Sequence, residues 1–265
     1  MRLVSIASGS SGNCIYVGSD TTHILVDAGI SCKRIREGLE KLDLSLGDLD
    51  AIFVTHEHSD HIAGLKTLLK KHEIPIYATK GTLSGIDYAD KKGDMPDFER
   101  HVVRADEKIF LKDLVINPMT ISHDANEPVA YRISYGDKKI AIATDMGCYN
   151  DYTVECLKDM DALLIEANHD VRMLQSGPYP YQLKRRILGD KGHLSNEKSG
   201  ELLSKILNDN IKGIILGHLS KENNLPELAY ETVRVEIEMS QTPYHGNDFP
   251  LFVASRNDLT PAIEV

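Results

Sequence analysis

The sequence lacks a long apolar run and an excess of positive charge, and each absence argues against a class of protein. No apolar run approaches the roughly 18 residues needed to cross a bilayer. Serine and glycine interrupt the first ten residues too early for the apolar core of a signal peptide. We therefore expect no membrane partner and a cytoplasmic location. The formal net charge of −10 argues against unselective coating of nucleic acid, although a local basic strip could still bind phosphates.

Cysteines are also scarce, which excludes a disulfide-rich scaffold. The four cysteines, Cys14, Cys32, Cys148 and Cys156, show no Cys-x-x-Cys spacing. Four cysteines in 265 residues make no disulfide framework. We expect reduced thiols, as in a reducing compartment.

Short strands and helices alternate along a chain of ordinary globular composition. Strands are predicted at residues 3–7, 14–17, 23–26, 51–54, 114–116, 129–133, 140–143, 162–165 and 213–216. Helices are predicted after the N-cap residues Ser31 and Ser195 and at residues 62–69 and 228–239. Because no repeat, linker or composition break marks a boundary, we expect one α/β domain over residues 1–265. Strand runs interleaved with helices predict two sheets covered by helices, in α/β/β/α layers.

The sharpest motif is the segment Thr55-His56-Glu57-His58-Ser59-Asp60-His61, which directly follows an apolar strand. Imidazole and carboxylate groups are the ligands that zinc and other divalent first-row ions prefer. His56 and His58 can point the same way in extended chain, while Asp60 and His61 fall on the opening turn of a helix. A solvated histidine-rich loop is the alternative interpretation.

Three further strands end in a residue that can bind a metal, namely His123, Asp145 and His218. Strands that end alike place these residues along one rim of the sheets. The whole set can hold two ions. His56, His58 and His123 would bind one, Asp60, His61 and His218 the other, and Asp145 would bridge them.

These motifs resemble the metallo-β-lactamase-fold hydrolases over nearly the whole chain. Residues 56–61 match the family's H-x-H-x-D-H signature, and His123, Asp145 and His218 match its later metal positions. The resemblance implies a four-layer αββα sandwich of two mainly antiparallel or mixed sheets, with two divalent ions, zinc, manganese or both, at one edge.

The segments around Glu166 and His193 resemble those of the phosphodiesterase branch of this family. That resemblance implies that Glu166 and His193 pass a proton to the leaving oxygen, since a carboxylate paired with an imidazole fixes its tautomer and raises its basicity. Asp60 would orient the attacking hydroxide besides ligating. The alternative to this proton-transfer role is that both residues are structural, with Glu166 capping a strand end and His193 merely preceding a helix.

The subgroup resemblance is to the YycJ/WalJ-like bacterial 5′→3′ exodeoxyribonucleases. It includes Ser8-Gly9-Ser10-Ser11-Gly12-Asn13-Cys14 and the segments that follow Ala143, Glu166 and Gly217. In this interpretation Ser8, Ser10, Ser11 and Asn13 bind a terminal phosphate. The alternative interpretation is that this loop is only a turn whose backbone conformation needs glycine. The sequence lacks the long substrate-binding arm of the tRNA-processing enzymes.

A basic segment that includes Lys184, Arg185 and Arg186, with Tyr179 and Tyr181 beside it, lies between Glu166 and His193. Interleaved aromatic and basic residues can track a nucleic-acid strand, although such a segment also suits a subunit contact. We therefore expect a metal-dependent hydrolase that acts on the 5′ end of DNA through a hydroxide activated by two ions. The alternatives are a hydrolase of the same fold acting on a cyclic phosphodiester, lactone or thioester, a mononuclear iron oxygenase, and a non-catalytic binding module.

Overall fold

A computed structural model describes all residues from Met1 to Val265. The strands are β1 Arg2–Ala7, β2 Cys14–Gly18, β3 His23–Val26, β4 Ala51–Phe53, β5 Ile76–Thr79, β6 Arg100–Val103, β7 Ile109–Leu111, β8 Leu114–Thr120, β9 Val129–Tyr135, β10 Lys138–Ala143, β11 Ala162–Glu166, β12 Gly213–Gly217, β13 Leu251–Val253 and β14 Ile263–Glu264. The helices are α1 Cys32–Glu40, α2 Ser59–Ile62, α3 Leu65–Leu69, α4 Lys80–Ala89, α5 Asp151–Leu157, α6 Val171–Ser176, α7 Tyr181–Ile187, α8 Asn196–Ile206 and α9 Pro226–Met239, with a 3-10 helix at Leu46–Asp48.

The strands form two seven-stranded sheets with matching organisation. One sheet has the order β14-β1-β2-β3-β4-β5-β6 and the other β13-β12-β11-β10-β9-β8-β7. In each sheet one half pairs antiparallel and the other half parallel. This confirms the expectation of two mixed sheets.

Alternating side chains connect the layers, because successive residues of a strand point to opposite faces. Ile24 and Val26 of β3 enter a central core that they share with β10 and β11 of the other sheet, whereas Leu25 packs outward. The outer face of the first sheet is covered by α1, α3 and α4. Helices α5, α8 and α9 cover the second. The layers are therefore helix, sheet, sheet, helix, as expected, and the shared core supports our proposal that residues 1–265 form one domain.

Two helix starts follow the predicted capping. The side chain of Ser31 accepts a hydrogen bond from the Arg34 backbone N–H, and Ser195 accepts one from Lys198. All four cysteines are unpaired. None of the nine helices combines the length and apolar character needed to traverse a bilayer.

The helix predicted over residues 62–69 is instead two short helices, α2 and α3, separated at Ala63 and Gly64. The backbone N–H of Gly64 donates to the Ala28 carbonyl at 2.8 Å. A Cβ at Gly64 would lie 2.0 Å from the Ile30 carbonyl oxygen. Close approach of the segment after β3 therefore breaks the helix, and apolar spacing alone does not reveal it.

This contact gives the first prediction, that Gly64→Ala destabilises the fold. Because the colliding atoms are backbone, relief requires a shift of the chain, and overpacking of this kind costs about 1–3 kcal/mol. Urea unfolding should show a lower midpoint for Gly64→Ala. Gly47→Ala is the matched control, since its Cβ would meet only Ser45 Oγ, at 3.6 Å. Equal midpoints for the two variants would contradict the collision.

Candidate metal centre

The residues with ligand groups gather because the strands that precede them end at the same rim of the two sheets. His56 follows β4, His123 follows β8, Asp145 follows β10 and His218 follows β12. Asp60 and His61 lie on α2, the helix that continues from the first of these strand ends. The left-handed backbone of Asp145 and His218, with φ values of 59° and 56°, turns both residues sharply at their strand ends.

Three imidazoles form the first group. His56 Nε2 lies 3.0 Å from His58 Nδ1, and His58 Nδ1 lies 3.2 Å from His123 Nε2. The other ring nitrogens of two of them are held from behind, His56 Nδ1 by the Thr55 hydroxyl and His123 Nδ1 by the Gly192 carbonyl. Such outer contacts orient imidazoles for metal binding. Three ring nitrogens thus face one point.

Asp60, His61 and His218 form the second group. Asp60 Oδ2 lies 3.2 Å from His218 Nε2 and 3.5 Å from His61 Nε2. The Asp145 carboxylate stands between the two groups. Its Oδ2 is 3.2 Å from His61 Nε2, and its Oδ1 is 3.7 Å from His123 Nε2. All seven side chains predicted as ligands are therefore brought together, in the two sets expected.

The donor set fits divalent cations. Asp145 Oδ2 is buried without a hydrogen-bond partner, which is costly for a carboxylate oxygen unless a cation satisfies it. Ring nitrogens that face one another at 3.0–3.2 Å repel unless a proton or a metal lies between them. Nitrogen and oxygen donors suit zinc and manganese alike.

Electrostatics favour the charge states that metal binding requires at Asp60 and His56, but they hold a proton on His218. Burial alone would raise the pKa of Asp60, but hydrogen bonds from His218 and His61 outweigh it and hold that pKa well below its usual range. Burial followed by the nearby His61 lowers the pKa of His56, which therefore stays neutral. Although burial lowers the pKa of His218, the Asp145 carboxylate and the hydrogen bonds to Asp60 and Glu166 raise it to about 10. A cation that binds at His218 must displace this proton.

Asp27 supports the second group and was not singled out from the sequence. Its Oδ2 lies 2.7 Å from His61 Nδ1, and its Oδ1 accepts the Thr55 backbone N–H at 2.8 Å. A carboxylate behind a ligand histidine fixes the ring tautomer and leaves Nε2 for the metal. Asp27 directly follows strand β3, so the strand-end pattern that indicated Asp145 and His218 was also present here.

Asp27→Asn should weaken metal binding by about 10–100-fold, the usual cost of losing such an outer contact. Asparagine tolerates the left-handed backbone of Asp27, at φ 65°, but its NH2 group would face the Nδ1–H of His61. Zinc titration against a competing chelator measures the change. Asp113→Asn is the control, because Asp113 also accepts several hydroxyl hydrogen bonds but contacts no ligand histidine. Equal zinc affinities in both variants would remove Asp27 from the centre.

Glu166 links the metal centre to His193. Its Oε1 lies 2.8 Å from His193 Nδ1 and 2.9 Å from His218 Nδ1. Its Oε2 accepts backbone N–H groups of Met146 and Leu194. With both oxygens so occupied, Glu166 orients imidazoles and is poorly placed to ligate. Burial would raise its pKa, but the neighbouring His193 outweighs this and lowers it to about 2, so Glu166 is ionised.

The serine-glycine loop splits into a buried and an exposed part. Ser8 is buried, and its Oγ accepts the His218 backbone N–H at 2.8 Å. Asn13 is also buried, and its Nδ2 lies 3.1 Å from His61 Nε2. Ser8 therefore stands behind His218, whereas Asn13 faces the His61 nitrogen that Asp27 leaves for the metal. Ser10 and Ser11 are exposed, and contact of the loop with a terminal phosphate stays a prediction that rests on them.

The three basic residues predicted to bind substrate have different surroundings. Lys184 Nζ donates to the carbonyls of Gln175 and Gly177, so it holds the end of α6. Arg185 is exposed beside the Tyr181 ring. Arg186 forms a two-point pair with Asp124, whose Oδ1 lies 3.5 Å from His123 Nε2. Arg186 is thus the one of the three that reaches the rim of the metal centre, while substrate binding by the segment stays a prediction.

The chain matches known proteins over most of its length. The sequence profile of the Beta-lactamase superfamily domain matches residues 22–214. Exodeoxyribonuclease WalJ of Streptococcus pneumoniae serotype 2 (strain D39) is 39% identical over 260 residues, which cover 98% of this chain and 96% of that protein. Exodeoxyribonuclease YycJ of Bacillus anthracis is 38% identical over 233 residues, which cover 88% of each.

Solved structures agree on the fold. The metallo-β-lactamase fold protein YhfI from Bacillus subtilis superposes with a TM-score of 0.70 over 98% of both chains, at 17% identity, a likeness that concerns the fold alone. The profile match covers more than half of the chain, and the two relatives share well over 30% of their residues with it. The chain therefore belongs to the metallo-β-lactamase superfamily and, within it, to the family of WalJ and YycJ.

Proposed function

We propose that this protein is a metal-dependent phosphodiesterase that removes nucleotides from the 5′ end of DNA. The observation that carries the proposal is the Glu166–His193 pair beside a double set of metal ligands. Such an arrangement offers a proton donor next to a site for cations, which is what phosphodiester cleavage requires. Two family members bear the name exodeoxyribonuclease and match nearly the full chain, which supports DNA as the substrate.

In this proposal His56, His58 and His123 would hold one divalent ion, Asp60, His61 and His218 would hold a second, and Asp145 would contribute a carboxylate to both. The ions are zinc, manganese or both. When bound, two such ions lower the pKa of a coordinated water and neutralise charge on the phosphoryl oxygens. They also offset the acidity of the centre toward a polyanionic substrate.

The protein's own residues then supply orientation and protons. Asp60, whose side chain is about one-fifth exposed, orients the attacking hydroxide besides ligating. His193 is 13% exposed at the rim, where it can reach the leaving O3′. The Glu166 carboxylate accepts a hydrogen bond from His193 Nδ1, which leaves Nε2 to donate a proton to the leaving oxygen. Ser10, Ser11 and Arg185 are free to approach the DNA backbone, and Arg186 could do so from its pair with Asp124.

The test offers several phosphodiesters to the protein in zinc or manganese. We expect mononucleotides to be released from 5′-phosphorylated duplex or single-stranded DNA, and not after chelation of the metal. A 5′ label should appear at once as mononucleotide, while a 3′ label should remain on strands that shorten gradually. Closed circular DNA separates exonuclease from endonuclease action, because it has no end. RNA of the same sequence tests whether cleavage requires deoxyribose.

Cleavage of a small cyclic phosphodiester alone would contradict the proposal and favour a small-molecule hydrolase of the same fold. One ferrous ion per chain in place of a divalent pair would favour an oxygenase. A cytoplasmic location stays a prediction from the sequence, and the oligomeric state is open.

A further inference from the structure

A cavity adjoins the proposed proton donor. It has a volume of about 490 Å³ and is lined by His193 together with residues of α8 and of the segment after β10. This volume lies in the range of small-molecule sites. Because His193 borders both the cavity and the Glu166 carboxylate, a group seated there would lie beside the leaving oxygen.

One face of α8 contributes two lysines to the cavity. Lys198 and Lys205 are seven residues apart, so two helical turns place them on the same side. Lys198 pairs with Glu201 at 2.7 Å. Lys205 has no carboxylate partner and lies 5.0 Å above the Tyr149 ring. An unpaired ammonium in a cavity is suited to a phosphate. Glu201 and Asp190 also line the cavity, so its formal charge is balanced, and Lys205 is the lysine that no carboxylate contacts.

A buried imidazole in the same cavity lacks any partner. His169 is 1% exposed, lines the cavity, and neither of its ring nitrogens has a hydrogen-bond partner. A buried polar group without a hydrogen-bond partner destabilises the folded protein, and such groups are rare in native structures. A neutral imidazole offers one donor and one acceptor, which matches the edge of a nucleobase.

We propose that this cavity binds the 5′-terminal nucleotide of the DNA, with Lys205 and Lys198 on its 5′-phosphate and His169 on its base. The inference rests on the proposed function, since the terminal nucleotide is the group that departs when its O3′ takes the proton from His193. A cavity with room for one nucleotide at this position also explains release from an end. The terminal phosphate is then held by α8, and not by the serine-glycine loop.

Lys205→Ala tests the phosphate contact. We compare kcat/KM on one duplex carrying either a 5′-phosphate or a 5′-hydroxyl. The unaltered protein should prefer the phosphorylated end. Lys205→Ala should lose about 10-fold or more on that end, as for a hydrogen bond to a charged group, and little on the hydroxyl end. Lys158→Ala is the matched control. Lys158 is exposed and pairs with Glu155, three residues earlier, at the end of α5 and outside α8.

Each other outcome has a distinct meaning. Equal cleavage of both ends by the unaltered protein, or an unchanged preference in Lys205→Ala, overturns the inference. Loss of the preference only in Ser10→Ala or Ser11→Ala assigns the terminal phosphate to the loop and also overturns it. Cleavage of neither duplex contradicts the proposed function itself.

His169→Phe tests the base contact separately. If His169 only fills space, removing two unpaired nitrogens should leave kcat and KM unchanged and should not lower the melting temperature. If it binds the base, KM for DNA should rise several-fold, with kcat and the melting temperature maintained. An unchanged KM in a stably folded variant removes His169 from the site.

Discussion

Replacing Asp145 with asparagine should lower DNA cleavage by about 10³-fold or more and release at least one of the two ions that we propose the centre holds. Its carboxylate stands between the ligand sets, with Oδ2 3.2 Å from His61 Nε2 and Oδ1 3.4 Å from His218 Nδ1. An amide keeps the shape but loses the charge and one ligand oxygen. Stabilisation of several kcal/mol by a bound ion corresponds to a rate factor of this size.

The backbone of Asp145 determines which substitution and which control are informative. At φ 59° asparagine is the residue that best tolerates the left-handed conformation, so Asp145→Asn should fold. Asp159 has φ 57°, is exposed and lies outside the centre, which makes Asp159→Asn the matched control. Rates and zinc content are measured on both variants. Normal cleavage with two ions in Asp145→Asn would show that Asp145 does not bridge.

His193→Ala should lower DNA cleavage by about 10²–10⁴-fold with the metal content unchanged, because it removes the proposed proton donor and none of the proposed ligands. The loss should depend on the leaving group. A nitrophenyl phosphodiester releases a weakly basic oxygen that needs no proton, so its hydrolysis should be little affected. Comparison of the two substrates therefore separates proton transfer from a general disturbance of the centre.

His245→Ala is the control for this variant. His245 also pairs with a glutamate, Glu238 at 3.2 Å, but it is 70% exposed and remote from the ligands. It should leave both activities unchanged. If His193→Ala loses activity equally on both substrates, or loses bound metal, His193 acts on the ions and not on the leaving oxygen.

Much of the centre could be predicted because its signals are local. Residues 55–61 carry four candidate ligand groups, and His123, Asp145 and His218 each follow a short apolar run. Strands of two sheets that end at one rim bring such residues together. Asp27 carried the same signal after β3, and His61 depends on it through a 2.7 Å contact.

Other features depend on contacts between distant segments, which local patterns do not encode. Arg186 pairs with Asp124 from 62 residues away. The sequence pattern predicts that Ser8 and Asn13 bind a terminal phosphate, yet both are buried, Ser8 against the His218 backbone and Asn13 against the His61 ring. Their local pattern is that of an exposed polar turn, and only tertiary packing encloses them.

The edge strands illustrate the same limit for the fold. β6 begins with Arg100 and His101 and exposes Val102, so it lacks the apolar run by which the buried strands were found. It exists because β5 offers a parallel partner. A strand defined by its neighbour and not by its own sequence has little local signal to predict it.

The most direct test of the metal pair is anomalous diffraction from crystals grown in saturating zinc. We expect two zinc peaks about 3.5–4 Å apart, the usual separation in two-metal sites. One should lie among His56, His58 and His123, the other among Asp60, His61 and His218, with density for Asp145 reaching both. A single peak, or none, at saturating zinc would contradict the dinuclear centre on which the proposed phosphodiesterase activity depends.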